Sequence, residues 1–359
     1  MNTTDYINIP QYSLNKQQKE TYLVDLLTQL HDHHKTNCEE YNKISTTLFN
    51  NKEIKKLEDV PYLPIQLFKN YSLKSIPEDK IYKTLSSSGT TGSKTSKIYL
   101  DSYTSQLQTL ALSKIFTHII GTNNRLPMLI IDSRQVLKDK TSFSARGAGI
   151  LGMSVFGKNH CYLLDDNYEF NDEVIDFLDK FNNQKILVFG FTFMIYKYLI
   201  QYNQFLHYKN KGLQNSILVH SGGWKKMQEQ SVDNNAFKKL LKEKLRIETV
   251  YNFYGMAEQV GSVFVENSDG YLHCPNYSDI IIRNPKDLSE CKIGEEGIVQ
   301  VLSMLPYSYP GHSILTEDIG VCLGEDDSSN GWKGKYFKIL GRIKQAELRG
   351  CSDIIAKSE

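Results

Sequence analysis

Apolar positions recur along this chain in two periods. Over residues 15–35, Leu23, Leu26, Leu27 and Leu30 fall at helical spacing and predict an amphipathic helix. Short apolar runs bounded by polar or small residues predict buried strands. One is Ile81 to Leu85, and Lys97 to Leu100 reads as the strand returning from it. Met128 to Asp132 is another, with its acid at the end where α/β sites lie. Further strands are expected at 161–164, 185–189, 216–220, 248–253, 279–282 and 297–302. Helical patterns at 102–118, 172–182, 191–205 and 225–245 alternate with them, which predicts a mixed-sheet α/β fold. The most apolar stretch, Ile186 to Ile200, is interrupted by Gly190, Thr192 and Lys197. It is short for a bilayer span and reads as a buried strand entering a buried helix.

The 359 residues, 40% hydrophobic and 23% charged, suit a globular chain with a large core. The net charge is +1, so bulk electrostatics point to neither nucleic acid nor a membrane surface. Any bound anion needs a local site. The start, Met1 to Tyr6, has no signal-peptide pattern. The six cysteines are scattered without close pairs, which fits a reducing cytoplasm and no zinc site or disulfide framework. His31-Asp32-His33-His34 reads as a solvated helix end, because neighbouring side chains on a helix point different ways. Asp326 to Gly331 reads as a polar turn followed by a short tail.

The sharpest chemical signal is Ser86-Ser87-Ser88-Gly89-Thr90-Thr91-Gly92-Ser93-Lys94-Thr95-Ser96-Lys97. Gly89 and Gly92 let backbone N–H groups approach an anion, hydroxyls from Ser87, Ser88, Thr90 and Thr91 donate to phosphate oxygens, and Lys94 and Lys97 add charge. The glycines are too close together for a Walker loop. Gly147-Ala148-Gly149-Ile150-Leu151-Gly152 matches a dinucleotide fingerprint by letter, with Asp165 and Asp166 downstream. No buried strand precedes it, so close backbone packing near a substrate pocket is the better expectation, with Arg146 a candidate anion contact.

Three later stretches add to the phosphate loop. His220-Ser221-Gly222-Gly223-Trp224 ends a strand in a turn that admits a flat ligand. Tyr254-Gly255-Met256-Ala257-Glu258 offers an aromatic to stack on a base and a carboxylate, Glu258, for Mg²⁺ beside phosphates. Thr316-Glu317-Asp318-Ile319-Gly320 places Asp318 at an expected turn, suited to ribose hydroxyls, and Gly341-Arg342 supplies a cation. Phe189, Phe191 and Phe193, with Gly190 and Gly152, are acyl-pocket candidates on apolar content alone.

In this order the motifs resemble the adenylate-forming superfamily of acyl-CoA synthetases, luciferases and adenylation domains. Ser144 to Gly147, His220 to Lys226 and Arg349-Gly350-Cys351-Ser352 resemble, more closely, the fatty acyl-protein synthetases, or long-chain-fatty-acid–luciferin-component ligases. The resemblance implies an adenylate-forming large domain over 1–340, with a helical lead-in to about residue 60, and a tail over 341–359. It implies ATP and Mg²⁺ as cofactors and a fatty acid as substrate. It implies Tyr254, Gly255, Ser221, Gly222, Gly223, Asp318 and Arg342 around the nucleotide, and Cys351 as thioester acceptor. It also suggests an acyl reductase or acyl-carrier partner. The loop lacks the superfamily's Pro before its last Lys, leaving open which lysine meets phosphate. The stretch beyond Arg342 is too short for the superfamily's small C-terminal domain, and a self-acylating tail fits that shortness. The nine residues from Arg342 to Cys351 span roughly 30 Å when extended. Competing expectations are a soluble acyl- or aryl-CoA ligase and a non-catalytic nucleotide-binding module. The sequence leaves homo-oligomerisation open.

Overall fold

The computed structural model describes residues 3–50, 52–86, 95–137, 145–201, 213–224 and 229–343. Its frame is one large mixed sheet. Five strands run parallel in the order Gly157–Leu164, Leu126–Ser133, Ile186–Phe191, Ser216–Ser221 and Thr249–Tyr254. The sheet then continues antiparallel through Phe264–Glu266, Leu272–His273, Lys335–Arg342, Ser313–Glu325, Glu296–Ser303 and Ser278–Arg283. Lys83–Ser86 and Lys97–Leu100 pair as a separate hairpin.

Near-continuous apolar sequence makes the central parallel strands, because helices cover both faces. Alternation decides which face each residue feeds. Met128, Ile130, Leu187, Phe189, Ile217 and Val219 pack with residues of helices Lys16–Asn37 and Ser102–Ile120. Leu129, Ile131, Ile186, Val188 and Leu218 pack instead with helices Glu173–Lys180 and Asn234–Leu245. A third cluster, including Phe264, Phe337, Val299 and Ile314, lies along the antiparallel half.

Helix Lys16–Asn37 starts at a capping box, in which Asn15 accepts from the Gln18 N–H and Gln18 from the Asn15 N–H. It is fixed to the sheet by Lys19, whose Nζ lies 3.2 Å from Asp279, with Lys335 3.6 Å away on the other carboxylate oxygen. All three side chains are buried. Burial opposes ionisation of Asp279, but the two lysines outweigh it and hold the carboxyl below its ordinary value.

Three sequence expectations need correction, and a fourth is refined. The histidine cluster is not a solvated helix end. His34 is fully buried, paired with Ser75 at 2.8 Å and the Pro306 carbonyl at 3.1 Å, and stacked on His312. His31 meets the Tyr41 hydroxyl at 2.8 Å, and only His33 lies at the surface, against Tyr307. The run at Thr316 to Gly320 is no turn but the middle of the 13-residue strand Ser313–Glu325. The polar turn at 326–331 is followed by strand Lys335–Arg342 rather than directly by a tail. The helix expected at 191–205 is present from Thr192, but only Thr192–Met194 is α-helical and Ile195–Ile200 is a π-helix, while residues 202–205 lie outside the described ones. Among the described residues no helix is long and apolar enough to cross a membrane, and no three metal-ligating side chains cluster.

Burial lowers the imidazole pKa to about 4 for His31 and His273 and to about 3 for His312, and pushes His34 the same way. The unfolded chain therefore gains protons as pH falls through about 6.5 while the native state stays neutral. Stability should be full above that pH and fall from there down to about pH 4, where the native imidazoles begin to protonate, by roughly 1 kcal/mol per buried histidine at pH 5.5. Urea midpoints at pH 7.5 and 5.5 check this; equal midpoints would contradict it.

Candidate functional site

All five parallel strands deliver their carboxyl ends to one edge of the sheet. Phe191 pairs in register with Ser221, and Ser221 with Phe253, so three strand ends are level there. Ligands in open α/β sheets bind beyond this edge. The chain leaves it at Ser221 into Gly222-Gly223, both exposed. Gly222 has φ +80°, which favours glycine, and a Cβ there would stand 3.1 Å from the Phe191 ring. Among the described residues nothing stands within 4 Å of a Cβ built at Gly223. Trp224, next in the chain, packs edge-on against Tyr196 and Phe237.

The next strand ends in Tyr254. Its hydroxyl donates to Asp318 Oδ2 at 2.6 Å, and the Arg342 Nε–H donates to Asp318 Oδ1 at 3.0 Å. Asp318 and Arg342 are direct cross-strand partners. The Asp318 side chain is largely buried, whereas Arg342 is 76% exposed. Thr316 holds the Asp318 backbone in place: its hydroxyl accepts from the Asp318 N–H and donates to the Val299 carbonyl. Burial, then the adjacent Asp318 carboxylate, pushes the Tyr254 phenol well above its ordinary pKa, so Tyr254 remains a donor at neutral pH. The site thus offers a carboxylate held between a phenol and a guanidinium, suited to accepting from sugar hydroxyls.

Gly255 lies exposed after Tyr254, and Glu258 is buried in the single turn Ala257–Gln259. Gln259 locks this turn by donating to the Gly311 carbonyl at 2.9 Å. One carboxylate is the protein share that Mg²⁺ needs when phosphates supply other ligands, so Glu258 fits that ion. Leu85, Ile98 and Leu100 of the hairpin share one apolar cluster with Tyr254 and Met256. The hairpin at the base of the Ser/Thr/Gly loop thus belongs to the same apolar cluster as Tyr254 and Met256. Ser86 and Lys97 form its last pair, and Lys97 is exposed. Ser87, Ser88, Gly89, Thr90, Thr91, Gly92 and Lys94 lie outside the described residues, as do Arg349 and Cys351.

Gly147 to Gly152 fall inside helix Ala145–Ser154, so they do not form a phosphate turn. Gly149 instead gives room to Phe191, whose ring would stand 2.9 Å from a Cβ there. Arg146 Nε bonds Asp132 at 2.9 Å and its Nη2 donates to the Tyr168 hydroxyl at 2.7 Å. It serves as an internal ion-pair partner of the strand-end acid. Of the acyl-pocket candidates, Phe189 is wholly in the core and Gly190 is closed in by Ile131 and Ile195. Phe191 and Phe193 are half-buried, and Gly152 is open. Sequence reasoning missed Thr192, whose hydroxyl donates to the Gly222 carbonyl at 2.7 Å. The only signal was its place directly after a strand-end aromatic.

Comparison with known proteins identifies the family and the fold. The family model described as acyl-protein synthetase, LuxE, matches residues 8–358. The long-chain-fatty-acid–luciferin-component ligase of Vibrio harveyi is 23% identical, over 95% of this chain and 89% of its own. The protein of the same name from Aliivibrio fischeri is 23% identical, over 89% and 84%. Among solved structures, an open conformation of 2-hydroxyisobutyryl-CoA ligase in complex with 2-HIB-AMP and CoA matches with TM-score 0.68 at 14% identity. That match covers 92% of this chain and 71% of the other. ATP-bound MatB from Rhodopseudomonas palustris matches with TM-score 0.50 at 15% identity, over 75% and 49%. The fold is that of adenylate-forming ligases.

The two turn glycines should respond differently to alanine. Gly222→Ala, forced into left-handed backbone against Phe191, should cost about 1–2 kcal/mol. Gly223→Ala should stay within about 0.5 kcal/mol of the parent. Urea unfolding of both variants checks this, and equal losses would contradict the turn geometry.

Proposed function

The chain belongs to the acyl-protein synthetase family, and on that premise we propose that it activates a long-chain fatty acid as its acyl-adenylate and then acylates itself. The observation that carries the first half is the contact among Tyr254, Asp318 and Arg342, level with the Ser221–Gly223 turn. Four motifs spread over more than a hundred residues of sequence converge on one sheet edge, as a nucleotide site requires.

In this reading adenine lies against the Ser221-Gly222-Gly223 turn and Tyr254-Gly255, and Asp318 accepts from the ribose hydroxyls beside Arg342. Ser87 to Gly92, with Lys94 and Lys97, hold the triphosphate, and Glu258 holds Mg²⁺. The bound ion would offset charge on the phosphates. A carboxylate oxygen of the fatty acid attacks the α-phosphorus. The bond to the bridging oxygen breaks, and pyrophosphate leaves with the electron pair. The Cys351 thiolate then attacks the acyl carbonyl, and AMP departs as the thioester forms. Arg349 favours the thiolate. Gly341 and Arg342 end strand Lys335–Arg342, the residues after them act as the acyl-bearing tail, and the acyl group passes onward to a reductase or carrier partner. The two luciferin-component ligase relatives support the choice of a long-chain acid.

Labelled fatty acid, ATP and Mg²⁺ separate the two steps. The parent should carry hydroxylamine-labile label on protein, whereas Cys351→Ser should form acyl-AMP and carry none. Label undiminished on Cys351→Ser would refute the acceptor. Release of AMP only when CoA is added, with no labelled protein, would instead indicate a CoA ligase. Asp318→Ala should raise the KM for ATP by about tenfold or more, equivalent to the roughly 1.5–3 kcal/mol of a charge-assisted hydrogen bond.

A further inference from the structure

Behind the exposed Gly222-Gly223 turn lies a buried polar pair. Thr192 is 6% exposed and His220 2% exposed. The Thr192 Oγ lies 2.7 Å from the Gly222 carbonyl, 2.9 Å from His220 Nδ1 and 3.3 Å from the Ser221 carbonyl. A hydroxyl has one proton, and a carbonyl can only accept. The proton therefore goes to a carbonyl, the shorter contact being Gly222. Thr192 must then accept from His220, which assigns the imidazole its hydrogen on Nδ1. The relay runs one way: His220 N–H to Thr192 O–H to the Gly222 carbonyl. His220 Nε2 is buried with no partner among the described residues, and the ring lies against Phe237. Burial, with Lys238 nearby, lowers its pKa to about 3, so the ring stays neutral and keeps this one donor direction.

Such a relay is a costly way to hold a fold together. A buried polar pair whose members stay partly unsatisfied gains little over an apolar pair of similar shape. What it supplies is direction. Two successive glycines have wide conformational freedom, and the Thr192 bond to the Gly222 carbonyl, together with the Phe191 ring, restrains this turn from behind. We propose that His220 and Thr192 are positioning residues that fix the Gly222-Gly223 turn for the nucleotide, and so set affinity for ATP rather than for the acid. This rests on the nucleotide reading of the turn given above.

The test uses the full chain, ATP with Mg²⁺, and acid-driven ATP–pyrophosphate exchange. Thr192→Val should raise both the Kd and the KM for ATP by about tenfold, with the fatty acid KM within about twofold of the parent. Thr192→Ser should restore parental values. His220→Leu should match Thr192→Val, whereas His220→Asn, whose amide N–H replaces the ring N–H, should recover most of the affinity. The histidine pair carries the test if Thr192→Val fails to fold. Parental ATP binding in Thr192→Val or His220→Leu would overturn the relay alone, as would equal losses for ATP and acid. A parent protein that binds no ATP would overturn the nucleotide reading and the relay with it.

Discussion

The constraint that creates the site is that parallel strands end together. Each parallel pairing between Gly157–Leu164 and Thr249–Tyr254 requires the chain to cross back through a helix before the next strand. The turns after Phe191, Ser221 and Tyr254 are thereby forced onto one edge. The switch to antiparallel pairing at Phe264–Glu266 brings the second half of the chain back alongside. Asp318 and Arg342, far from Tyr254 in sequence, become its neighbours. No loop has to fold into a special shape for these three side chains to meet.

Polar groups inside the protein divide by what surrounds them. Lys19, Asp279 and Lys335 are buried charges that offset one another, and they tie the first long helix to the antiparallel strands. The Asp132–Arg146 pair links a strand end to helix Ala145–Ser154 in the same way. Asp318 differs, because its arginine partner is mostly exposed. A carboxylate that accepts from buried Tyr254 on one oxygen and from exposed Arg342 on the other is arranged for a ligand as well as for the fold.

The parallel half was legible because its strands are apolar and its helices amphipathic, so both periods stand out. The strand at Ser216–Ser221 and the helix at Ser102–Ile120 fell within two residues of expectation. The antiparallel half was harder. In Ser313–Glu325 the inward positions include Thr316 and Asp318, buried through hydrogen bonds, so no apolar alternation marks the strand. The histidines of the first long helix misled for the same reason, since His34 enters the core by pairing with Ser75 and Pro306. The motifs Tyr254 to Glu258 and Gly341-Arg342 were readable as letters, but their meeting at Asp318 depends on strand order, which local sequence does not encode.

The central claim is acyl-adenylate formation at the edge where Tyr254, Asp318 and Arg342 meet. Its most direct measurement is fatty-acid-dependent exchange of labelled pyrophosphate into ATP, made side by side on the parent protein and on Asp318→Asn. The account predicts exchange that requires the acid in the parent and falls sharply in the variant at limiting ATP. No acid-dependent exchange in the parent, or equal exchange in both proteins, would contradict it.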